Sequence, residues 1–389
     1  MEDTPREPVI VWQFLRRHFG QIVIAAALVV AVYIPIRIYA TYLREQRIAK
    51  AIRSNQGYAL FDYSGPDWIP QVVQESVPLF DRIRMVRFDF PLPGIIDFTP
   101  QVTCTGLEHL KGLTNLESLK IHNAIVTDAG MDYLEEMTNL KELIFENTQL
   151  PDAGIEHLKG LKNLTDLHIR SAQLTDDGMQ SLKGLTNLKR LFLGGEQVTD
   201  AGLEHLKGLT NLEKLAVFGG HITDAGLESL KGLTNLKELH RYRLLITDAG
   251  LMHLKELTRL EHLFVGLDHR GVTDAGLENL ENLINIKNLD LSGSHITGAG
   301  LEHLKGLSKL EELNLDNSRV TDAGLEYLPV LPNLKKLHLV NTRITDAGVE
   351  HLARLTNLES LDVEETQITA EGRARLKKSL RNCFIEPYR

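Results

Sequence analysis

Few residues of this sequence belong to the types that form cross-links or large aromatic cores. Only two cysteines and two tryptophans occur in 389 residues, and aromatic residues make up 6% of the chain. Cys104 and Cys383 stand at opposite ends of a long repeated region, so a disulfide between them is geometrically excluded. The cysteines therefore give no indication of the redox environment.

The usual signatures of nucleotide, zinc and nucleophile sites are also missing. The sequence contains no G-x-x-x-x-G-K-[ST], H-E-x-x-H, G-x-S-x-G, G-x-G-x-x-G or paired C-x-x-C. Its 43 basic and 52 acidic residues give a net charge of −9, which argues against a nucleic-acid partner. We therefore predict no catalytic residue, no cofactor and no metal site, and expect that the protein is not an enzyme.

One long hydrophobic run stands near the N-terminus. Residues 20–40 ("GQIVIAAALVVAVYIPIRIYA") contain a single charge and are long enough to cross a bilayer as a helix. We predict an uncleaved single-pass membrane anchor there, after a tail of residues 1–19 and before a juxtamembrane helix of residues 41–54. A cleaved signal peptide is the alternative, but no A-x-A-like site is present. Positive charges flank both sides, so the side of the membrane stays open.

Glycines recur at a fixed spacing through most of the chain. The interval is 24 residues, with one interval of 26 before Gly276, and the series is Gly106, Gly130, Gly154, Gly178, Gly202, Gly226, Gly250, Gly276, Gly300, Gly324, Gly348 and Gly372. About twelve units at one period predict a solenoid.

Two hydrophobic periods alternate within each unit, as residues 199–217 illustrate. Leu203, Leu206 and Leu209 have the spacing of one face of a short helix, which we expect Thr199 to cap and Gly208 to end. Leu212, Leu215 and Val217 instead have the alternation of a strand. A single unit cannot bury its apolar edge, so neighbouring units are expected to stack.

The repeated pattern T-D-A-G-L-E-H-L-K-G-L-T-N-L-x-x-L-x-L resembles the leucine-rich-repeat family over residues 103–372. That resemblance implies an α/β solenoid: a horseshoe with a parallel inner β-sheet and outer helices, here preceded by one transmembrane helix. Residues 58–73 ("YALFDYSGPDWIPQVV") are similar to the segment that follows the anchor in bacterial membrane-anchored members. This second resemblance implies no particular activity.

The segments beside the array are expected to close its two ends. We assign residues 55–102 to an N-terminal cap, in which alternating Val86, Phe88 and Phe90 predict a strand. Residues 373–389 form the predicted C-terminal cap, with the end of a helix and a last short strand at 383–385.

Histidine recurs at one helix position in alternate units. We interpret these residues as exposed side chains of a duplicated double unit, because histidines about 10 Å apart cannot share a zinc ion without other ligands. The series comprises His109, His157, His205, His253, His303 and His351.

Strand residues that alternate with the buried leucines are expected to point out of the inner sheet. They change along the array from mixed or basic through aromatic to acidic. We predict that the aromatic zone binds a partner, and name as its site Phe192, Phe218, His240, Arg241, Tyr242 and Phe264. Mutual shielding of these rings is the alternative.

Arg241 occupies a position where other units carry a buried apolar residue. Burial without a partner would cost several kcal/mol. We favour a local bulge that turns Arg241 outward and Tyr242 inward, with strict register as the alternative. An insertion in the next unit, residues 266–272 ("GLDHRGV"), adjoins the same zone.

These observations predict a non-catalytic, membrane-anchored module that presents its concave face to a protein or peptide. A self-associating cell-envelope scaffold is one alternative. Another is the substrate-recognition arm of a ubiquitin-ligase-like complex, although no F-box-like segment precedes the array.

Overall fold

The computed structural model describes residues 43–44, 46–52, 57–62, 82–89, 107–218, 221–242, 246–265 and 271–385. The chain divides into two compact units, Met1–Val86 and Arg87–Arg389. Within these described residues no helix has both the length and the apolar character needed to span a bilayer. The anchor expected at residues 20–40 lies outside them, as do Cys104 and most of the 266–272 insertion.

The first unit contains a helical stretch and strand residues. Residues 46–52 are helical, within the segment expected to be a juxtamembrane helix, and strand β1 spans Gly57–Asp62. Strand β2, Arg82–Asp89, crosses the boundary between the units. Val86 and Phe88 are buried in it and Arg87 is exposed, as their alternation predicts.

The second unit contains twelve strands in its described residues, each parallel to the next along the chain. The first six have five to seven residues and the next five have three. The strands are β3 (Ser118–His122), β4 (Glu142–Thr148), β5 (Asp166–Ser171), β6 (Arg190–Gly194), β7 (Lys214–Phe218), β8 (Glu238–Tyr242), β9 (His262–Phe264), β10 (Asn288–Asp290), β11 (Glu312–Asn314), β12 (Lys336–His338), β13 (Ser360–Asp362) and β14 (Phe384–Ile385).

Register between strands follows the repeat, so equivalent residues of successive units face one another. Leu191 lies opposite Leu215, and Leu193 lies opposite Val217. These side chains are buried, as are the equivalent apolar residues on the other strands. The core is therefore a continuous column that each unit extends, as a stack of repeats requires.

Each unit that has an α-helix before its strand has a very short one. Except for the last, these helices contain four or five residues: α1 (Asp128–Met131), α2 (Asp152–Glu156), α3 (Asp176–Gln180), α4 (Asp200–Glu204), α5 (Asp224–Glu228), α6 (Asp248–Met252), α7 (Asp274–Leu277), α8 (Val349–Leu352) and α9 (Ala370–Ser379). Helix α9 and strand β14 end the array, where the sequence predicted a last helix and strand.

The helices are shorter than the leucine spacing predicted. Helix α4 ends at Glu204, so Leu206 and Leu209 lie beyond it, and Gly208 does not end it. The chain continues in tighter turns, because the amides of Leu206, Leu209 and Leu212 each bind the carbonyl three residues earlier. Leucines at every third position suit these turns, since residues i and i+3 lie on one side.

The predicted cap at Thr199 is confirmed. Its hydroxyl accepts a hydrogen bond from the Ala201 amide at 3.3 Å, and Thr199 precedes the first helical residue. The same hydroxyl donates to Asp176 Oδ2 of the preceding unit at 2.6 Å, while the Thr199 amide donates to Asp176 Oδ1 at 2.7 Å. One threonine therefore caps its own helix and binds the unit before it.

This Asp–Thr interlock joins many consecutive units. In every case the threonine amide and hydroxyl both donate to one carboxylate, at 2.5–3.0 Å. The pairs are Asp152–Thr175, Asp176–Thr199, Asp200–Thr223, Asp224–Thr247, Asp248–Thr273, Asp274–Thr297, Asp322–Thr345 and Asp346–Thr369.

The interlock also accounts for the repeated glycine. A Cβ added at Gly202 would overlap Asp176 Oδ1, and the equivalent clash occurs at Gly226 and Gly250. A side chain at these positions would displace the carboxylate from its threonine. Glycine therefore recurs every 24 residues because each interlock aspartate occupies the space that a side chain would need.

A second polar ladder runs along the turn before the strands. The asparagine of the T-N-L sequence donates its side-chain amide to a backbone carbonyl of the preceding unit, as Asn211 does to Thr186 O at 2.9 Å. The same bond, at 2.7–2.8 Å, is made by Asn139, Asn163, Asn187, Asn235, Asn285, Asn333 and Asn357.

The interlock can be tested with two adjacent aspartates of one helical turn. Replacing Asp176 with alanine removes two charge-assisted hydrogen bonds, and we expect a loss of roughly 2–4 kcal/mol in the free energy of unfolding. Asp177 is the matched control, because it is exposed and lies outside the interlock. Its alanine variant should lose less than about 1 kcal/mol. Denaturant unfolding followed by circular dichroism measures both, and equal losses would contradict the interlock.

Candidate partner-binding surface

The strand side chains that alternate with the buried leucines form what we call the open face of the sheet. Its central column contains the residue between the two buried positions of each strand, at partial exposure in nearly every unit. In chain order the column reads Lys120, Ile144, His168, Phe192, Ala216, His240, Phe264, Asp290, Asn314, His338 and Asp362. Phe218 lies two residues further along β7, opposite Gly194.

Aromatic residues of the open face form two His–Phe pairs, one tilted and one stacked. The rings of His168 and Phe192 have centroids 5.4 Å apart and are tilted by 36°, while those of His240 and Phe264 are 4.4 Å apart and nearly parallel. Ala216 lies between the pairs and is 1% exposed. The central column therefore carries two His–Phe pairs separated by an alanine.

The histidines of both pairs have a lowered pKa, which favours the neutral imidazole. Burial lowers the pKa of His168, and Arg170 adds to this effect, although Glu146 opposes it at 2.8 Å. Burial likewise lowers the pKa of His240, against a hydrogen bond to Glu238. At neutral pH the two pairs are thus uncharged aromatic contacts, half-buried on a surface of charged residues.

The backbone around Arg241 keeps its register with the preceding strand. Val217 lies opposite Arg241 and Phe218 opposite Tyr242, with no shift between β7 and β8. The bulge favoured from the sequence is therefore absent from this pairing. The side chains of Arg241 and Tyr242 lie outside the described residues, so their roles in the site stay predictions.

Phe218 forms one wall of a groove of about 560 Å³ beside the C-terminal ends of β3–β7. Gly194 and Gly195 line the groove, and Arg170 packs so closely across Gly194 that a Cβ there would meet its side chain. Polar side chains complete its lining, among them Asn123, Asn147, Gln149 and Glu196. The groove was not predicted from the sequence, in which the Gly194–Gly195 pair is its most distinctive lining feature.

Two of these polar residues have an unusual backbone conformation. Asn123 and Asn147 both have φ of 54°, in the left-handed region that asparagine tolerates better than most residues. The Asn147 side-chain Nδ2 donates to Asn123 Oδ1 at 2.8 Å. The pair forms a preorganised polar rim at the end of the groove opposite Phe218.

Basic residues expected at the start of the array are matched by acidic neighbours. Lys120 contacts Glu142 at 2.8 Å, Arg170 contacts Glu146 at 3.0 Å, and Arg190 contacts Asp166. The Lys120 and Ser118 hydrogen bonds keep the pKa of Glu142 below its usual value, although burial opposes them. This zone is consequently an ion-paired surface and not a basic one.

Aspartates in the later units have a structural use as well as a charge. Asp290 accepts a hydrogen bond from the Ser292 amide at 2.9 Å, and Asp362 accepts one from the Glu364 amide at 3.0 Å. Asn314 does the same for Asp316. Burial raises the pKa of Asp316, with Asp362 and Asp290 contributing, while the Val340 amide opposes the shift. These acidic residues therefore bind backbone amides of the array as well as giving this part of the open face its negative charge.

The helix-side histidines are less exposed than predicted. All six are half-buried, and the His157 side chain is 15% exposed. In the described part of the chain, one group of side chains has the composition of a metal site: Asp132, Glu135 and His157, on the helix side and away from the open face. The described open face offers no comparable cluster.

Comparisons with known proteins agree with this architecture. A sequence model described as leucine rich repeat matches residues 160–183, 208–231, 306–328, 330–353 and 354–376. No curated protein matches the chain in sequence.

Among solved structures, an internalin of Listeria monocytogenes is similar with a TM-score of 0.61 and 21% identity, covering 88% of this chain and 94% of its own. A leucine-rich-repeat protein of Leptospira interrogans has a TM-score of 0.49 and 17% identity, covering 87% and 98%. At such identities the internalin likeness shows the fold alone. Together with the matched repeats, the parallel sheet and the 24-residue period, it establishes that this chain is a leucine-rich-repeat protein.

Proposed function

We propose that the open face binds a protein or peptide partner without catalysis, around the two His–Phe pairs and Phe218. The leucine-rich-repeat fold is typical of protein-binding modules. Half-exposed aromatic rings are the residues in which interface energy concentrates. Arg241 and Tyr242, on the strand between Phe218 and Phe264, belong to the proposed site by position.

The observation that carries this proposal is the groove beside Phe218. Its volume of about 560 Å³ lies within the range of ligand-binding clefts. Asparagine and glutamine side chains line it, and their amides both donate and accept hydrogen bonds, which suits a peptide backbone. Arg170 and Glu196 add one charge of each sign at its edge. An extended peptide with an apolar side chain against Phe218 fits this chemistry.

Membrane anchoring through residues 20–40 is a further part of the proposal. It rests on the length and composition of that segment. An anchored binding domain would hold its partner at a membrane surface, on a side that the flanking charges leave open.

Two other functions are distinguished by the surface they need. A self-associating scaffold would make the chain its own partner, and sedimentation at increasing protein concentration detects this. A recognition arm of a ligase-like complex would use the same open face but also a second docking segment.

Removing the three phenylalanines tests the binding site. We expect the Phe192→Ala, Phe218→Ala, Phe264→Ala triple variant of the full chain to fold and to lose crosslinked partner capture at least tenfold, because the apolar centre is gone. The matched control replaces Asn288, Asn314 and His338, on the same face of β10–β12, with alanine and should retain capture. Quantitative mass spectrometry of captured proteins compares the three samples. Equal capture by both variants would move the site away from the aromatic zone.

Titration of the paired histidines tests their electrostatic environment. Because burial lowers both pKa values, we expect His168 and His240 to titrate below 6.5, the ordinary value. The unfolded chain then binds more protons than the folded chain, so these residues reduce stability as pH falls below about 6.5. NMR of the imidazole Cε1–H signals, assigned with His168→Phe and His240→Phe variants, gives the midpoints. Midpoints at or above 6.5 would contradict the neutral His–Phe pairs.

A further inference from the structure

The interlock between units is interrupted at Asp128, the aspartate of helix α1. In eight other units the corresponding aspartate binds the amide and hydroxyl of the threonine that precedes the next helix. After Asp128 that position is Pro151, which has neither a backbone N–H nor a hydroxyl. Both donors are therefore missing, and the Asp128 carboxylate is available for another contact.

The Asp128 carboxylate instead contacts His157. Its Oδ1 lies 3.0 Å from His157 Nε2. The other ring nitrogen, Nδ1, lies 2.7 Å from Glu135 Oε1 and 3.4 Å from Asp132 Oδ1. Three carboxylates from one unit thus surround an imidazole from the next unit.

The arrangement matches the donor set of a transition-metal site. One nitrogen or oxygen from each of Asp132, Glu135 and His157 lies within 4.8 Å of the other two, on three different side chains. A metal at about 2 Å from each ligand needs donors about 3–4 Å apart, so small rotations of the exposed carboxylates complete the set. Histidine nitrogen with carboxylate oxygen suits zinc and its neighbours, whereas magnesium and calcium prefer oxygen alone.

Asp128 supplies the second feature that such a site needs. Histidines that bind a metal usually donate the other ring N–H to a carboxylate, which fixes the tautomer and the ring orientation. A proton held on Nε2 by Asp128 leaves the Nδ1 lone pair directed at Glu135 and Asp132. The imidazole is mostly buried, with 15% of the side chain exposed, so its orientation is held by packing as well.

We propose that Asp132, Glu135 and His157 bind a divalent transition metal of the zinc class, with Asp128 positioning the imidazole. The site joins two consecutive units at the point where Pro151 removes the usual interlock. A bound metal would replace one inter-unit connection with another. The recurring histidines are too far apart to share a metal without other ligands. Here Asp132 and Glu135 of the preceding unit are those other ligands.

An ion-paired histidinium is the competing state of the same residues. With both ring nitrogens protonated, His157 would donate to Glu135 Oε1 at 2.7 Å and to Asp128 Oδ1 at 3.0 Å. A proton and a metal therefore compete for the same ring nitrogen. Direct measurement of metal binding separates the two states.

His303 provides a matched control within the same chain. It occupies the equivalent helix position, and its Nδ1 lies 2.6 Å from Glu281 Oε1. The aspartate equivalent to Asp128 is Asp274, which binds Thr297 in the interlock. In the described part of the chain, therefore, His303 contacts one carboxylate where His157 contacts three.

Calorimetric titration of the full-length protein with Zn²⁺ at pH 7.5 tests the proposal, with Mg²⁺ as a second arm. We expect one Zn²⁺ site that disappears in His157→Gln and in Glu135→Gln but persists in His303→Gln. Mg²⁺ should not fill it. Because Glu135 is exposed, its variant tests the site even if the His157 variant fails to fold. No Zn²⁺ binding, or equal loss in His157→Gln and His303→Gln, would overturn the proposal.

Pro151→Thr separates Asp128 from the metal ligands. The new threonine should draw Asp128 back into the interlock, so we expect Zn²⁺ affinity to fall roughly ten- to a hundredfold while the ligands stay in place. Unchanged affinity would refute the positioning role of Asp128. Zinc binding that resisted both Pro151→Thr and Glu135→Gln would assign the metal to other residues.

Discussion

The array depends on one contact repeated between units: an aspartate that accepts both the amide and the hydroxyl of a threonine in the next unit. Because the same hydroxyl caps the helix of its own unit, the contact couples helix initiation to stacking. It also needs space, which explains the glycine three residues after that threonine, where a Cβ would meet the carboxylate. The threonine, the aspartate and the glycine of the T-D-A-G sequence are thus all required by the interlock. Burial of the leucines alone would not require them.

Within the described part of the array, the Asp–Thr interlock is missing at two positions, and different contacts replace it at each. At Pro151 the donors are lost, and Asp128 turns to His157. At Gly298 the aspartate itself is lost, and the backbone of Gly324 approaches so closely that a Cβ on either glycine would collide with the other. One break is therefore filled by a polar cluster and the other by backbone contact. Identical repeats could not place a site at one position in the array, whereas such substitutions can.

Sequence reasoning recovered the features that follow from local spacing. The period, the strand register, the buried leucine columns and the Thr199 cap all depend on residues within one unit or at the same position of the next. The length of helix α4 was not recovered, because leucines at every third position fit both an α-helix and the tighter turns that follow Glu204. Nor were the Lys120–Glu142 pair and the groove at Gly194, which depend on side chains of different units. Arg241 is a further example. The bulge was predicted from the cost of burying its charge, whereas the structure keeps Arg241 in register with Val217 of β7.

The open face changes character where the strands shorten. Asp290, Asn314 and Asp362 each bind the amide two residues later with their own side chains, and each of their strands contains three residues. Strands β9 and β12 are equally short, although Phe264 and His338 are their residues in the central column. Strands β6 and β7 instead continue to a second outward position, where Gly194 and Phe218 face each other. The groove lies beside the ends of these longer strands, and this is where Phe218 joins the proposed partner site.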